Sequence, residues 1–127
     1  MNYEVTIKES SRQLTAKEKL AVKDMSNATQ LDAAIAEGDS LVLTPAYYVI
    51  LSVHNERSKN EKDYTKYMVI DSDGNKYVTG SESFFTSFKN IFETMQADAP
   101  EEEYSIECFR LPSKNYAGKS FLTCSIV

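Results

Sequence analysis

Residues 109–121 combine the side chains with the clearest chemical use in this chain. The stretch has three aromatic residues, three basic residues and no acidic one: Phe109, Arg110, Lys114, Tyr116, Lys119 and Phe121. Aromatic rings stack on nucleic-acid bases, while ammonium and guanidinium groups hold the phosphates that link them. The simpler interpretation is a hairpin with a cross-strand phenylalanine pair and a solvated loop. We favour nucleic-acid binding because this basic stretch belongs to an acidic protein.

A second set of aromatic and basic residues lies between positions 64 and 77. We expect two lysines and two tyrosines of this set to extend the same binding track: Lys66, Tyr67, Lys76 and Tyr77. Such tyrosines can equally pack their rings on the core and leave their hydroxyls in water. Both interpretations of this set stay open at the level of sequence.

Residues for catalysis or metal binding do not stand out. His54 is the only histidine, so no second imidazole is available as a metal ligand or a base. Residues 71–75 (DSDGN) superficially resemble a calcium loop, but their glycine comes fourth rather than sixth, and a plain turn fits better. Neither a glycine-rich phosphate loop nor a nucleophile elbow is present. We therefore predict a protein that is not an enzyme and uses no metal or cofactor.

Length and composition are those of an ordinary globular protein. A chain of 127 residues suits a single domain over 1–127. No run of about eighteen apolar residues is present, so we expect no membrane span, and the N-terminus lacks the pattern of a secretory signal. Two cysteines, Cys108 and Cys124, are too few for a disulfide framework and fit a reducing cytoplasm.

Hydrophobic spacing predicts a mostly β chain with helices. Period-two alternation indicates strands, Pro45 marks a break, and Thr15 and Ser81 are capping residues that begin helical segments. A helix between the third and fourth of five antiparallel strands is the order of an OB-like barrel. The predicted strands are 3–8, 41–53, 64–79 with a turn at 71–75, 104–111 and 121–127; the predicted helices are an N-terminal helical insert over 15–36 and a helix over 81–95.

The last two strands also allow a prediction of register. Placing Phe109 opposite Phe121 gives one wholly apolar face and one wetter face that keeps both phenylalanines. Cys108 and Cys124 then become diagonal neighbours. The residues predicted to point inward are Ile106, Cys108, Leu122, Cys124 and Ile126.

The C-terminal part of the chain, over residues 41–127, resembles a known family. The segments that carry the likeness are 73–77 (DGNKY), 80–84 (GSESF), 113–119 (SKNYAGK) and a closing strand over 121–127. They are similar to the small single-stranded DNA-binding proteins that tailed bacteriophages encode. The resemblance implies an OB-type fold, binding without strong sequence preference, and a role with replication or recombination proteins in the host cytoplasm.

The net charge of −5 favours a rival class of function. Taken alone, it argues against a polyanionic partner, although a binding groove responds to its local field. The rival is a small acidic protein-interaction module, such as an inhibitor of a host nucleic-acid enzyme. The helical insert over 15–36 leaves two further alternatives open, which are capping of the barrel and self-association into a homo-oligomer.

Overall fold

Two β-sheets, rather than one, organise this protein. The computed structural model describes residues 3–59, 61–114 and 118–127. Strand order is β1-β4-β5-β6-β2 in the larger sheet and β3-β7-β8 in the smaller one. The elements are β1 (Tyr3–Ser10), α1 (Ala16–Lys23), β2 (Thr29–Gln30), α2 (Leu31–Ala34), β3 (Ser40–Leu43), β4 (Pro45–Asn55), β5 (Asp63–Asp71), β6 (Lys76–Thr79), α3 (Glu82–Asp98), β7 (Ile106–Pro112) and β8 (Ser120–Ile126).

The predicted mostly β class is confirmed, but the predicted closed barrel of five antiparallel strands is not what these residues form. Eight strands in the described ranges divide between two sheets, and β2 pairs with β6 in parallel. Pro45 is the physical reason for part of the difference. It breaks the region 41–53, as expected, and the two pieces, β3 and β4, then join different sheets.

The chain separates into two compact units. The first unit comprises Met1–Gln30 and Ala46–Gly80, and the second comprises Leu31–Pro45 and Ser81–Val127. One domain over 1–127 therefore stays a prediction.

The first unit contains the larger sheet and α1. Thr15 begins the helix through the predicted capping box: its Oγ1 accepts from Glu18 N at 3.2 Å, and Glu18 Oε1 accepts from Thr15 N at 2.9 Å. Leu20 is 71% exposed, whereas Val22 is buried. Residues two apart on a helix point about 200° apart, so burying Val22 exposes Leu20. The core residues are Leu14, Val22, Val49, Leu51, Met68, Ile70 and Val78.

The helical insert over 15–36 is only partly helical. Thr29 and Gln30 form the short strand β2, with Thr29 opposite Tyr77, and only Leu31–Ala34 is helical after them. Thr29 is β-branched and loses rotamer freedom in a helix. The edge of β6 supplies backbone partners for Thr29 and Gln30 instead, so a strand interrupts the predicted helical insert before α2.

The second unit contains the smaller sheet and α3. Ser81 caps this helix by accepting from Phe84 N at 3.2 Å, and the helix continues to Asp98, beyond the predicted end at 95. Phe84 and Phe88 are buried, while Phe92 is only half-buried. The helix packs against β8. There, its Ser83 hydroxyl donates to the Leu122 carbonyl at 2.9 Å, which satisfies part of an otherwise open sheet edge.

The register of the β7–β8 hairpin differs from the prediction by two residues. Phe109 lies opposite Thr123 and Phe121 lies opposite Leu111, so Phe109 and Phe121 are not direct partners. Side chains alternate with a period of two, so a shift of two changes the partners and keeps the faces. Four of the five predicted inward residues are accordingly buried, while Ile126 near the strand end is 49% exposed. The buried four are Ile106, Cys108, Leu122 and Cys124.

Candidate nucleic-acid interface

The smaller sheet has one mostly buried face and one face that is open to solvent only in part. Thr123, opposite Phe109 on the second face, is 8% exposed, and its hydroxyl is hydrogen-bonded to that of Ser87 on α3. Alternation places Val42, Phe109, Leu111 and Phe121 together on the second face. Val42 is 57% exposed, Leu111 43% and Phe121 37%, while Phe109 is half-buried. These four residues are called the open face below.

The open face brings its two phenylalanines close together. Phe121 is directly opposite Leu111, and Phe109 precedes Leu111 by two residues on the same strand. Phe109 and Phe121 are therefore diagonal neighbours, a relation within reach of aromatic side chains. Phe121 is exposed and Phe109 is half-buried, and aromatic rings at neighbouring positions of a solvent-facing surface can stack on flat ligands.

Two of the predicted cations lie at the end of the same hairpin. Lys114 and Lys119 are exposed, and Ser113 N donates to Lys119 O at 2.8 Å where the connecting loop closes. The last strand pair, Pro112 with Ser120, directly follows the pair that contains Phe121. The predicted stacking residue Tyr116 lies outside the described residues.

Arg110 has a different surrounding from the one predicted for it. It follows Phe109 on β7, so its side chain leaves the sheet on the opposite side from the open face. Its Nε donates to Ile35 O at 2.6 Å and its Nη2 donates to Asp32 O at 2.8 Å. The C-terminal carbonyls of a helix lack partners within the helix, and Arg110 satisfies two of them at the end of α2.

Lys76 has the same kind of role in the first unit. Its Nζ donates to Ala21 O at 2.8 Å and to Asp24 O at 2.5 Å, at the C-terminal end of α1. A cation at this end also complements the helix dipole. Both Lys76 and Arg110 were predicted to hold phosphates, and the structure engages both with helix ends instead.

The tyrosines of the second set are half-buried and belong to the larger sheet. Tyr67 lies on β5 opposite Thr79, and the Tyr77 hydroxyl donates to Asp71 Oδ2 at 3.2 Å. The Asp71 carboxylate also accepts from the backbone N–H groups of Asp73 and Asn75. Burial raises the pKa of Asp71, but hydrogen bonds led by those from Asn75 outweigh it, and the pKa is lowered. Residues 71–75 thus form a turn organised by one carboxylate.

Lys66 lines a surface pocket that the sequence did not indicate. The pocket has a volume of about 420 Å³ and is formed by residues 23–26, Gln30, Tyr64 and Lys66. Lys66 Nζ lies 5.9 Å from the centre of the Tyr64 ring. Lys23, the last residue of α1, is a second basic residue of the lining. Sequence reasoning missed Lys23 because a helix and a strand distant in the chain meet here.

Metal-binding clusters are absent from residues 3–59, 61–114 and 118–127. His54 contacts two carboxylates on opposite sides of its ring, with Nδ1 at 2.7 Å from Asp63 Oδ1 and Nε2 at 2.5 Å from Glu56 Oε1. These contacts raise the pKa of His54, with Asp63 the larger cause. His54 is therefore the centre of a local ion-pair cluster.

The two cysteines are free and buried, and they are direct cross-strand partners rather than diagonal neighbours. Burial raises the pKa of both Cys108 and Cys124 to about 12. A thiol with so high a pKa is a poor nucleophile at neutral pH.

Comparisons of the chain with protein-family models, curated proteins and solved structures found no match. None of the helices in the described ranges has both the length and the apolar character needed to cross a bilayer.

Proposed function

We propose that this protein binds single-stranded DNA without strong sequence preference, in phage DNA replication or recombination. The observation that carries the proposal is the open face, which presents Phe109 and Phe121 beside a hairpin end with Lys114 and Lys119. Any base can stack on a ring, because every base has a π-face, so such a site tolerates sequence. Lys114 and Lys119 hold the phosphates, and Tyr116 joins the site as a stacking residue.

The acidic character of the protein is compatible with this site. One acidic residue, Glu107, shares the open side of the sheet, but it lies five residues from Pro112 on β7. At about 3.4 Å per residue that separation is about 17 Å. The Debye length at physiological salt is about 8 Å, so solvent ions screen Glu107 from phosphates held at the hairpin end.

The proposal does not depend on a closed OB-type barrel. In an OB-type barrel, the stacking surface would be part of the barrel wall. Here the open side of the three-stranded sheet offers such a surface. The proposal keeps Lys66 and Tyr67 as contacts in the first unit. Lys76, Tyr77 and Arg110 receive structural roles, because their polar groups bind helix ends and the 71–75 turn.

Fluorescence polarisation with labelled oligo-dT tests this function, with a duplex of equal length as the comparison. We expect preference for the single strand and a loss of about 1–3 kcal/mol of binding free energy for each ring removed, in Phe109→Leu and Phe121→Leu. Leucine keeps apolar bulk and removes the ring, so the fold is retained. Phe92→Leu, on α3, is the matched control. Equal affinity of all three variants and wild type for oligo-dT would exclude the open face as the binding site.

The exposed aliphatic side chains of the open face favour a second candidate, the acidic protein-interaction module. Val42 and Leu111 are more exposed than Phe121, and a contiguous apolar patch on a soluble surface commonly marks a protein interface. This candidate predicts no oligo-dT binding at any salt concentration. It also predicts that Val42→Ser weakens association with a protein partner or with a second copy of the chain.

A further inference from the structure

We infer that the first unit contains a separate site for one nucleotide of the bound strand, in the pocket between the end of α1 and the start of β5. The inference rests on the proposed function, because it assigns a strand-binding role to this pocket. Its volume of about 420 Å³ lies within the usual range of about 300–1,000 Å³ for small-ligand pockets. The ligand class is a nucleoside with an attached phosphate.

The pocket has two walls suited to a base. Tyr64 and Met25 are both half-buried, so each presents part of its surface to the pocket. An aromatic ring stacks on a base, and a thioether is soft and adapts to flat aromatic surfaces. Gln30 adds an amide to the same lining, and an amide can pair with different base edges.

Two ammonium groups are suited to the phosphate. Lys66 follows Tyr64 by two residues on β5, so both side chains leave the sheet on the same side. The 5.9 Å between Lys66 Nζ and the Tyr64 ring centre is near the outer limit of about 6 Å for a cation–π contact. Lys23 approaches from α1.

The single acidic residue of the lining is held by local hydrogen bonds. Asp24 Oδ1 accepts from Ser26 N at 3.0 Å and from Ser26 Oγ at 2.6 Å. The main-chain carbonyl of Asp24 accepts from Lys76, which fixes the backbone at this point. Lys76 is thereby a positioning residue for the pocket. With two lysines against one aspartate, the lining carries a positive balance in a protein of net charge −5.

Two measurements on the full chain test the inference. The first is titration of the ¹⁵N-labelled protein with dTMP and, separately, with thymidine, followed by amide chemical shifts. We expect dTMP to shift the amides of residues 23–26, Tyr64 and Lys66, and thymidine to shift them at least several-fold less, because it lacks the phosphate. The second is oligo-dT affinity of Tyr64→Ser and of Lys66→Gln. Loss of one stacked base predicts a fall of about fivefold or more for Tyr64→Ser.

The controls separate failure of this inference from failure of the proposed function. Tyr64→Phe keeps the ring and should bind as wild type does, and Lys8→Gln removes an exposed charge from β1 in the same unit. If wild type binds oligo-dT while Tyr64→Ser and Lys66→Gln match Lys8→Gln, the pocket inference is overturned and the proposed function stands. If wild type does not bind oligo-dT, the proposed function fails, and absence of dTMP shifts at the pocket then overturns the inference as well.

Discussion

At the scale of single residues, two basic side chains stabilise helix ends. Arg110 donates one hydrogen bond to Asp32 O in α2 and another, partly buried, to Ile35 O directly after the helix. Hydrogen bonds that involve a charged group contribute about 1.5–3 kcal/mol when well formed, and less when exposed. We expect Arg110→Gln to lower the free energy of unfolding in urea by about 1–2 kcal/mol and to leave oligo-dT affinity unchanged.

Lys114→Gln is the matched control for that prediction. It removes one charge from an exposed loop position, so it should leave the free energy of unfolding unchanged and weaken DNA binding. If Arg110→Gln weakened binding and left stability intact, Arg110 would be a DNA contact and the assignment made here would be wrong.

The His54 cluster predicts a dependence of stability on pH. Asp63 and Glu56 raise the pKa of His54 in the folded state above the unfolded value of about 6.5. A group whose pKa is raised by folding contributes to the free energy of unfolding. This contribution is fully present below the unfolded pKa of the group and is lost as pH rises through its folded pKa. Wild type should therefore lose more unfolding free energy than His54→Gln between about pH 6 and pH 8, as measured by urea titration at each pH. Parallel losses in the two proteins would contradict this account of the cluster.

At the scale of elements, the sequence predicted what local patterns determine and missed what pairing determines. The capping box at Thr15 and the cap at Ser81 were correct, because capping needs only residues a few positions apart. The inward residues of the last hairpin were largely correct, although its register was not. Hydrophobic alternation has the same appearance after a shift of two, so it cannot distinguish the two registers.

The reactivity of the two cysteines tests which face of the β7–β8 hairpin is buried. Cys108 and Cys124 face each other on the buried side, with pKa values raised to about 12. We expect neither thiol to react with iodoacetamide in the folded protein at pH 8, and both to react in urea. Mass spectrometry of the peptides measures this. Rapid labelling of either thiol without urea would show that the buried face of β7 and β8 is wrongly assigned.

At the scale of the whole molecule, the sequence predicted the mostly β class but not the division into two sheets. Pro45 indicated a break, yet nothing local reveals that the strands on its two sides join different sheets. The candidate site could likewise be predicted only in part, because contacts between residues distant in the chain leave no local signal in the sequence. Composition identified Phe109, Phe121, Lys114 and Lys119, whereas the roles of Arg110 and Lys76 depend on helices that only the fold brings near them.

We propose that a locally basic, aromatic surface of this protein binds a polyanion despite a net charge of −5. The salt dependence of oligo-dT affinity tests this binding, because each contacted phosphate contributes about 0.7 to the slope of log affinity against log salt. With one phosphate for each lysine, we expect the double variant Lys114→Gln/Lys119→Gln to lower the magnitude of the slope by about 1.4. Arg110→Gln should keep the wild-type slope. A double variant with the wild-type slope and affinity, and with its fold intact, would contradict the claim.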